Sequence, residues 1–595
     1  MARSTLKAIY TERKEQFEYL LGREKRMLAF ISVLRLLLIA GTVYFIILSI
    51  KSGYEILLVP AGLMVVLFFV FVAFHKNRND KRRLLIELIA INQEELDALE
   101  NNFATFDEGR QFMDPHHPWS LDLDLFGEKS LYQYINRTAT HPGPAVLADY
   151  LTKAVLDEEK INSRQEVIRE LNEKLNLRQH FTANARLMQK DDLEFEDVIG
   201  WSKQPVFIEK YQWTKVLAIV MTAVTSGIIF AGILDPSMLI LLIPQALVNL
   251  TILSPFFSRT NRFQEQVSKK HNFLHTYSLL LDILAKEDFS HTDLKEMNAQ
   301  CKDASDAIHK LSGLLSLFDQ RLNFMVGLTL NALVLFDFYM LHSLAAWNRK
   351  YRNDLAAWVE IAGRSDALFS LAGFAYNHPG YSYPEIRKDH AGLRAIDLGH
   401  PLIPETKRVD NTVEIKDERV VVITGANMAG KSTFLRSIGV NLALAYAGCP
   451  VCAKEFVTAP YQLYSSMRTA DSLKDDESYF FAEIKRLKKI VDKMMAGEQL
   501  LILLDEVLKG TNATDKQRGS KGLIKKSVAH DVLCIIATHD LALGEMAGEY
   551  RGKIVNYCFE SYIKELELTF DYRIQPGIAK NMNASFLMKQ MGIMD

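Results

Sequence analysis

From Leu28 to Ile50 the chain runs almost without a polar side chain (LAFISVLRLLLIAGTVYFIILSI), interrupted only by Arg35. After KSGYE it turns apolar again, from Ile56 to Phe74. Each run approaches the roughly 20 residues a helix needs to cross hydrocarbon. Charge crowds the outer ends, RKEQFEYLLGREKR before the pair and HKNRNDKRR after it, while the link carries one charge of each sign. Lys and Arg collect on cytoplasmic flanks, so the pair reads as a transmembrane hairpin with both outer ends in the cytoplasm. The charged N-terminus, with no small-residue cleavage site after the run, speaks against a cleavable signal.

A second pair lies mid-chain. Trp213–Leu234 meets DPS and then Met238–Phe257, with Lys210, Lys215, Arg259 and Arg262 on the outer side. It reads as an internal hairpin over 213–257, although Pro244 and Asn249 also allow an interfacial second arm. A fifth run, Phe324–Trp347, contains Asn331, Asp337 and His342. An odd crossing would place the segments on its two sides in different compartments. The expectation is therefore one long buried helix that does not span.

The remaining composition sets broad limits. With 595 residues and 49% hydrophobic content, the chain can build three or four structural units. A net charge of −2 excludes a uniformly basic nucleic-acid binder but leaves a local basic patch open. Five scattered cysteines suit a reducing compartment, and Cys449-Pro-Val-Cys452 lacks the second pair a zinc site needs. Charged stretches such as DEEKINSRQEVIRELNEKLNLRQHF repeat apolar residues at helical spacing. From about Val413, short β-branched runs alternate with helical ones, the pattern of an α/β domain with a largely parallel sheet.

That domain carries the chemistry. RVVVITGANMAGKSTFLRSIGV reads as strand, glycine loop and helix, with Gly425 and Gly430 bracketing a G-x-x-x-x-G-K-S pattern. Such a loop turns backbone N–H groups and a helix N-terminus toward phosphates. Gly425, Ala426, Asn427, Met428, Ala429, Gly430, Lys431, Ser432 and Thr433 are the candidate nucleotide-binding residues. Lys431 would reach the β- and γ-phosphates, and the Ser432 hydroxyl would face Mg²⁺. LLILLDEV brings Asp505 and Glu506 to a strand end, Asp505 for the metal and Glu506 to polarise water. CIIATHD presents His539 at the end of another strand, toward the γ-phosphate or the attacking water. ATP and Mg²⁺ are thus the expected cofactors. Ser478 is placed to cap the helix FFAEIKRLKKI.

In this order and wording the motifs resemble the MutS family of mismatch-repair ATPases, relatives of ABC-type ATPases. GANMAGKST is similar to that family's GPNMGGKST, LILLDEVLKGTNATD to its LVLLDEIGRGTST, and ATHD to its TTHY or ATHF segment. GHPLIP (Gly399–Pro404) and the closing TFDYRIQPGIAKNMNASFLMKQMGI also match. Ser130–Leu171 and Arg364–Ile386 resemble the start and end of the family's helical core, so the likeness extends over roughly residues 119 to 595. The fold implied is an α/β P-loop ATPase domain of MutS/ABC type, C-terminal to an all-α core and lever region, with N-terminal and internal transmembrane hairpins. Expected boundaries are 1–80 for the N-terminal hairpin, 81–118 for a linker helix, 119–390 for the helical core and 391–595 for the ATPase domain.

The resemblance further implies a head-to-tail homodimer in which Ser478 acts in trans on the partner's γ-phosphate. It also places Arg408 where the family often has an aromatic that stacks on adenine, a role a guanidinium plane can fill. Several departures bear on function. The roughly 118 residues before the core, much of them apolar hairpin, are expected to hold no mismatch-reading domain, the internal hairpin to take the place of the family's DNA-gripping clamp, and Asp475, Asp476 and Glu477 to make the signature loop acidic. The expectation is a multi-pass protein of a bacterial inner membrane with a cytoplasmic ATPase domain. DNA repair is one role; motor work on a protein or lipid partner without mismatch recognition is the other.

Overall fold

The structure, a computed structural model, describes residues 3–188, 195–468, 479–508, 510–530, 532–564 and 567–580. Helices Arg3–Ser52 and Leu58–Leu99 form an antiparallel hairpin. At 1.5 Å per residue the fifty-residue first helix measures about 75 Å, more than twice the ~30 Å depth of hydrocarbon. The hairpin's distal half is apolar and bare, with Leu36, Leu37, Val59, Leu63 and Phe69 all exposed. Its basal half is polar and docked. Leu85, Leu88 and Ile91 pack on Ala183, and the Tyr10 hydroxyl donates to Asn377 at 2.8 Å. Arg137 donates to the buried Glu95 at 2.6 Å. The second helix runs unbroken through residue 80, so the expected boundary there falls mid-helix; helix ends at Leu99 and turns follow to Ser130.

The helical core centres on Leu355–Asn377, which is buried along most of its length and packs on Gly143–Thr152 and Glu158–Glu173. From it project two long paired helices, Phe257–Ala285 and Thr292–Asp319. The first of these continues from an apolar stretch. Helix Trp213–Leu234 turns through Pro236–Leu241 into Leu242–Leu253, with the proline at each break lacking the N–H a continuous helix needs. Among the described residues four helical segments, two in each hairpin, are long and apolar enough to cross a membrane, or five if a bent pair at 324–351 counts as one span.

The fifth apolar run corrects the expectation of a single long helix. It is two helices, Phe324–Val334 and Phe336–Tyr351, meeting at 88°. Leu335 at the corner has φ 55°, the left-handed conformation that ends a helix. The freed carbonyls are met from the second hairpin: Asn249 donates to Ala332 O at 2.7 Å and Thr225 to Leu333 O at 2.8 Å. Asn249, read in sequence as a weakness of the second arm, is thus a cap for a neighbouring helix. Both ends of the run sit at the hairpin's base. Arg321 reaches Asn261 at 2.9 Å, and His342 meets Thr214 at 2.9 Å.

The C-terminal part is mixed α/β. Strands β1 (Glu385–Ile386), β2 (Leu393–Leu398), β3 (Asn411–Ile415) and β5 (Glu455–Thr458) form a four-stranded sheet in the order β1-β5-β2-β3. Strands β4 (Val420–Gly425), β6 (Gln462–Ser466), β7 (Leu500–Asp505), β8 (Leu533–Thr538), β9 (Ile554–Lys564) and β10 (Glu567–Pro576) form the main sheet, in the order β10-β9-β4-β8-β7-β6. All its pairs are parallel except β9–β10. The central strands are buried on both faces, which is why they read as continuous apolar runs.

Candidate functional site

The site grows from three neighbouring strand ends. β4 ends at Gly425, whose φ is 153°; a Cβ there would lie 2.6 Å from the Phe559 carbonyl on β9. The chain then loops through Met428 (φ 69°) and Gly430 (φ 110°) into helix Lys431–Tyr446. These left-handed turns wrap the loop around the point where the helix N-terminus opens, an arrangement suited to an anion. β8 lies between β4 and β7, so three sequence-distant motifs share one edge of the sheet. Asp505 pairs with Ala537, and the Glu506 amide donates to the Ala537 carbonyl at 2.9 Å. Glu506 itself has φ 53°, a strained conformation for a residue with a side chain.

A cleft of about 600 Å³ opens over this edge. Asn427, Met428, Gly430, Lys431, Ser432 and Thr433 line one side, with Asp505 and Glu506 beneath. Lys431 is buried, its ammonium donating to the Gly425 carbonyl at 2.7 Å and to Ala426 at 2.8 Å. Burial pulls its pKa down, against the upward pull of Glu506 and Asp505. Ala429 is buried behind the loop. His539 does not line the cleft, but its Nδ1 lies 3.4 Å from Glu506 Oε1, so the two form a pair at its margin.

Arg408 lines the opposite wall, but its fork is engaged: Nε donates to Asp410 at 2.6 Å and Nη2 at 3.3 Å. Ser478 and the acidic triplet Asp475, Asp476 and Glu477 lie outside the described residues. Several cleft residues carry no motif. Phe559 and Tyr572 flank Gly430, and Asn411 holds Tyr572 by donating to its carbonyl at 3.0 Å. His400 also lines the wall, and burial pulls its pKa down to about 4, so it is neutral near pH 7. Tyr572 belongs to FDYRIQPG, and the one local signal for it was an aromatic beside turn-forming residues. The C-x-x-C pair is inert: Cys449 and Cys452 are buried free thiols, and burial pushes Cys452 up to about 11.

The chain's C-terminal part thus presents a glycine loop, a buried lysine and paired strand-end carboxylates on a largely parallel sheet. Residues 421–590 match the family MutS domain V. Among curated relatives, the DNA mismatch repair protein MutS of Leptospira interrogans serovar Lai is 30% identical over 254 residues, covering 41% of this chain and 29% of that protein. The MutS protein of Haloquadratum walsbyi is 30% identical over 253 residues (40% and 26%), and that of Thermotoga neapolitana 29% over 237 residues (39% and 29%). These matches support the MutS family for the C-terminal part. The chain spans less than a third of the length of the relatives it matches.

Proposed function

We propose that the chain is a membrane-anchored ATPase of MutS type that binds and hydrolyses ATP as a dimer. The observation that carries this is the shared strand edge, where the glycine loop, Asp505 with Glu506, and His539 converge although the first two are some 80 residues apart in sequence. The donor set suits a nucleotide with magnesium. Ser432 and Asp505 offer hard oxygen atoms, and Mg²⁺ takes few protein ligands because it keeps waters and phosphate oxygens. Bound there, Mg²⁺ would neutralise charge on the phosphates. Lys431, now donating to loop carbonyls, would turn its ammonium to the β- and γ-phosphates. Glu506 would orient water and accept its proton, with His539 holding the carboxylate.

The two apolar hairpins would sit in the membrane with the ATPase on the cytoplasmic side. DNA mismatch repair is the function printed for the relatives, and DNA binding is the first candidate for the work that ATP drives. A second reading is motor action on a protein or lipid partner. It is favoured by the apolar hairpin at the tip of the paired helices Phe257–Ala285 and Thr292–Asp319, a surface unsuited to a polyanion. ATP turnover in nanodiscs with homoduplex DNA, mismatched DNA or none, across a salt series, separates these readings. Salt-sensitive stimulation by mismatched DNA establishes repair, whereas turnover indifferent to DNA establishes the motor reading. A Lys431→Ala chain that turns over ATP like the wild type overturns the proposed chemistry.

A further inference from the structure

The segment that joins the first hairpin to the helical core does not skirt the C-terminal domain; it plugs into it. Asp122 is fully buried, and among the described residues the hydrogen bonds of its carboxylate all cross from this segment to the α/β domain. Oδ1 accepts from the Arg468 amide at 2.8 Å. Oδ2 accepts from the Ser465 hydroxyl at 2.7 Å and from Arg486 Nη2 at 2.8 Å. The Asp122 carbonyl accepts from Arg436 Nε, on the helix that follows the glycine loop, at 3.1 Å. The neighbouring residues reinforce this grip. Asp124, in the left-handed region, binds the Arg468 guanidinium. Leu123 wedges against Gly439 on the same helix, where an added Cβ would come within 2.6 Å of it.

The partners are not a random set. Ser465 is the penultimate residue of β6, Arg468 follows the strand, and Arg486 lies on helix Tyr479–Met495. Arg468 and Arg486 therefore bracket residues 469–478 in sequence, and Arg436 sits one turn beyond Lys431 and Ser432. The buried carboxylate joins both flanks of that segment, and the main-chain carbonyl of the same residue holds the glycine-loop helix. The tie belongs to the chain leaving helix Leu58–Leu99 of the first hairpin. A buried carboxylate with charge-assisted and backbone donors holds its partners far more rigidly than an exposed ion pair.

We propose that Asp122 is a positioning residue for ATP turnover, fixing the glycine-loop helix against the two flanks of residues 469–478 and linking both to the first apolar hairpin. The inference rests on the ATPase reading given above. Asp122 does not line the cleft, so its loss acts on geometry. Small misplacement of reacting groups lowers kcat by roughly ten- to a hundredfold, while ground-state binding through the glycine loop persists.

The test compares the full-length wild type with Asp122→Ala, Asp122→Asn and Arg486→Gln in nanodiscs. It reads kcat, KM and the affinity for a non-hydrolysable ATP analogue. The expected result is a kcat lower by about tenfold or more for Asp122→Ala and Arg486→Gln, with analogue affinity within about twofold of wild type. Asp122→Asn, whose single amide oxygen keeps one of the two acceptors, toward the Arg468 amide or toward Ser465, is expected to lie between. Wild-type kcat in Arg486→Gln overturns the inference even if Asp122→Ala fails to fold. So does a loss in which analogue affinity falls in step with kcat. A wild type that binds no analogue and turns over no ATP overturns the ATPase reading and this inference with it. Measurable wild-type turnover that is insensitive to all three substitutions overturns this inference alone.

Discussion

At the residue scale, Glu506 and Asp366 make contrasting use of a carboxylate. Glu506 is about one-fifth exposed, strained in φ, and paired with His539 at 3.4 Å, as a group that must reach water should be. Replacement by Gln keeps the shape and removes the base. We expect Glu506→Gln to bind ATP as the wild type does and to hydrolyse it at least about a hundredfold more slowly, measured by single-turnover kinetics. Asp366 is structural. It is buried in the helical core and accepts from the Ala139 and Thr140 amides at 2.8 and 2.7 Å. Burial outweighs these donors and raises its pKa to about 6. An unfolded Asp titrates near 4, so between about pH 4 and 6 the folded state holds the extra proton. Its contribution is therefore complete below about pH 4 and lost as pH rises through 6. Asp366→Asn should flatten that slope relative to wild type, and parallel thermal-unfolding curves for the two proteins across the window would refute the assignment.

At the scale of elements, the decisive feature is the broken fifth run. Its corner exposes backbone carbonyls where the surroundings are apolar, a geometry tolerated only when neighbours satisfy them. Asn249 and Thr225 do so from the second hairpin, and a buried ion pair locks the base. Arg321 donates through Nε and Nη2 to Asp337 at 3.0 and 2.9 Å, with the side chains 6% and 1% exposed. Removing one partner strands the other. Asp337→Ala should destabilise the protein by about 3–5 kcal/mol, whereas the double change Arg321→Met with Asp337→Leu should cost far less. Thermal unfolding in detergent distinguishes the two, and equal losses would mean the pair contributes shape alone. The polar residues Asn331, Asp337 and His342 in this run suggested one long buried helix, whereas the run is two helices meeting at 88°. A left-handed Leu335 has no local signature, since only the packing around it makes that conformation favourable.

At the scale of the whole molecule, the two hairpin tips and the α/β domain should lie on opposite sides of a membrane. All five cysteines are buried and unpaired, which leaves a quiet background for labelling. Single cysteines at Ser52 and Ser237 should react with an impermeant maleimide in intact cells, and one at Lys388 only after permeabilisation. Labelling of Ser237→Cys only after permeabilisation would reduce the second hairpin to an interfacial element. Most of the candidate site was legible beforehand, because a glycine loop and a strand-end Asp-Glu are local patterns whose chemistry follows from residue type and spacing. His539, Asp505 and the glycine loop were each readable, but their common edge was not.

What the amino-acid order determined alone is what short-range physics controls: the apolar runs, the helical periodicity, the strands buried on both faces and the phosphate loop. Tertiary structure decided the rest. It inserted β8 between β4 and β7, bent the fifth run by 88°, brought Tyr572 over Gly430 and joined Asp122 to Arg486 across 364 residues. Each of these contacts closes a long loop, and only the simultaneous burial of many partners offsets the entropy of closing it. No window of sequence short enough to read by pattern contains both ends.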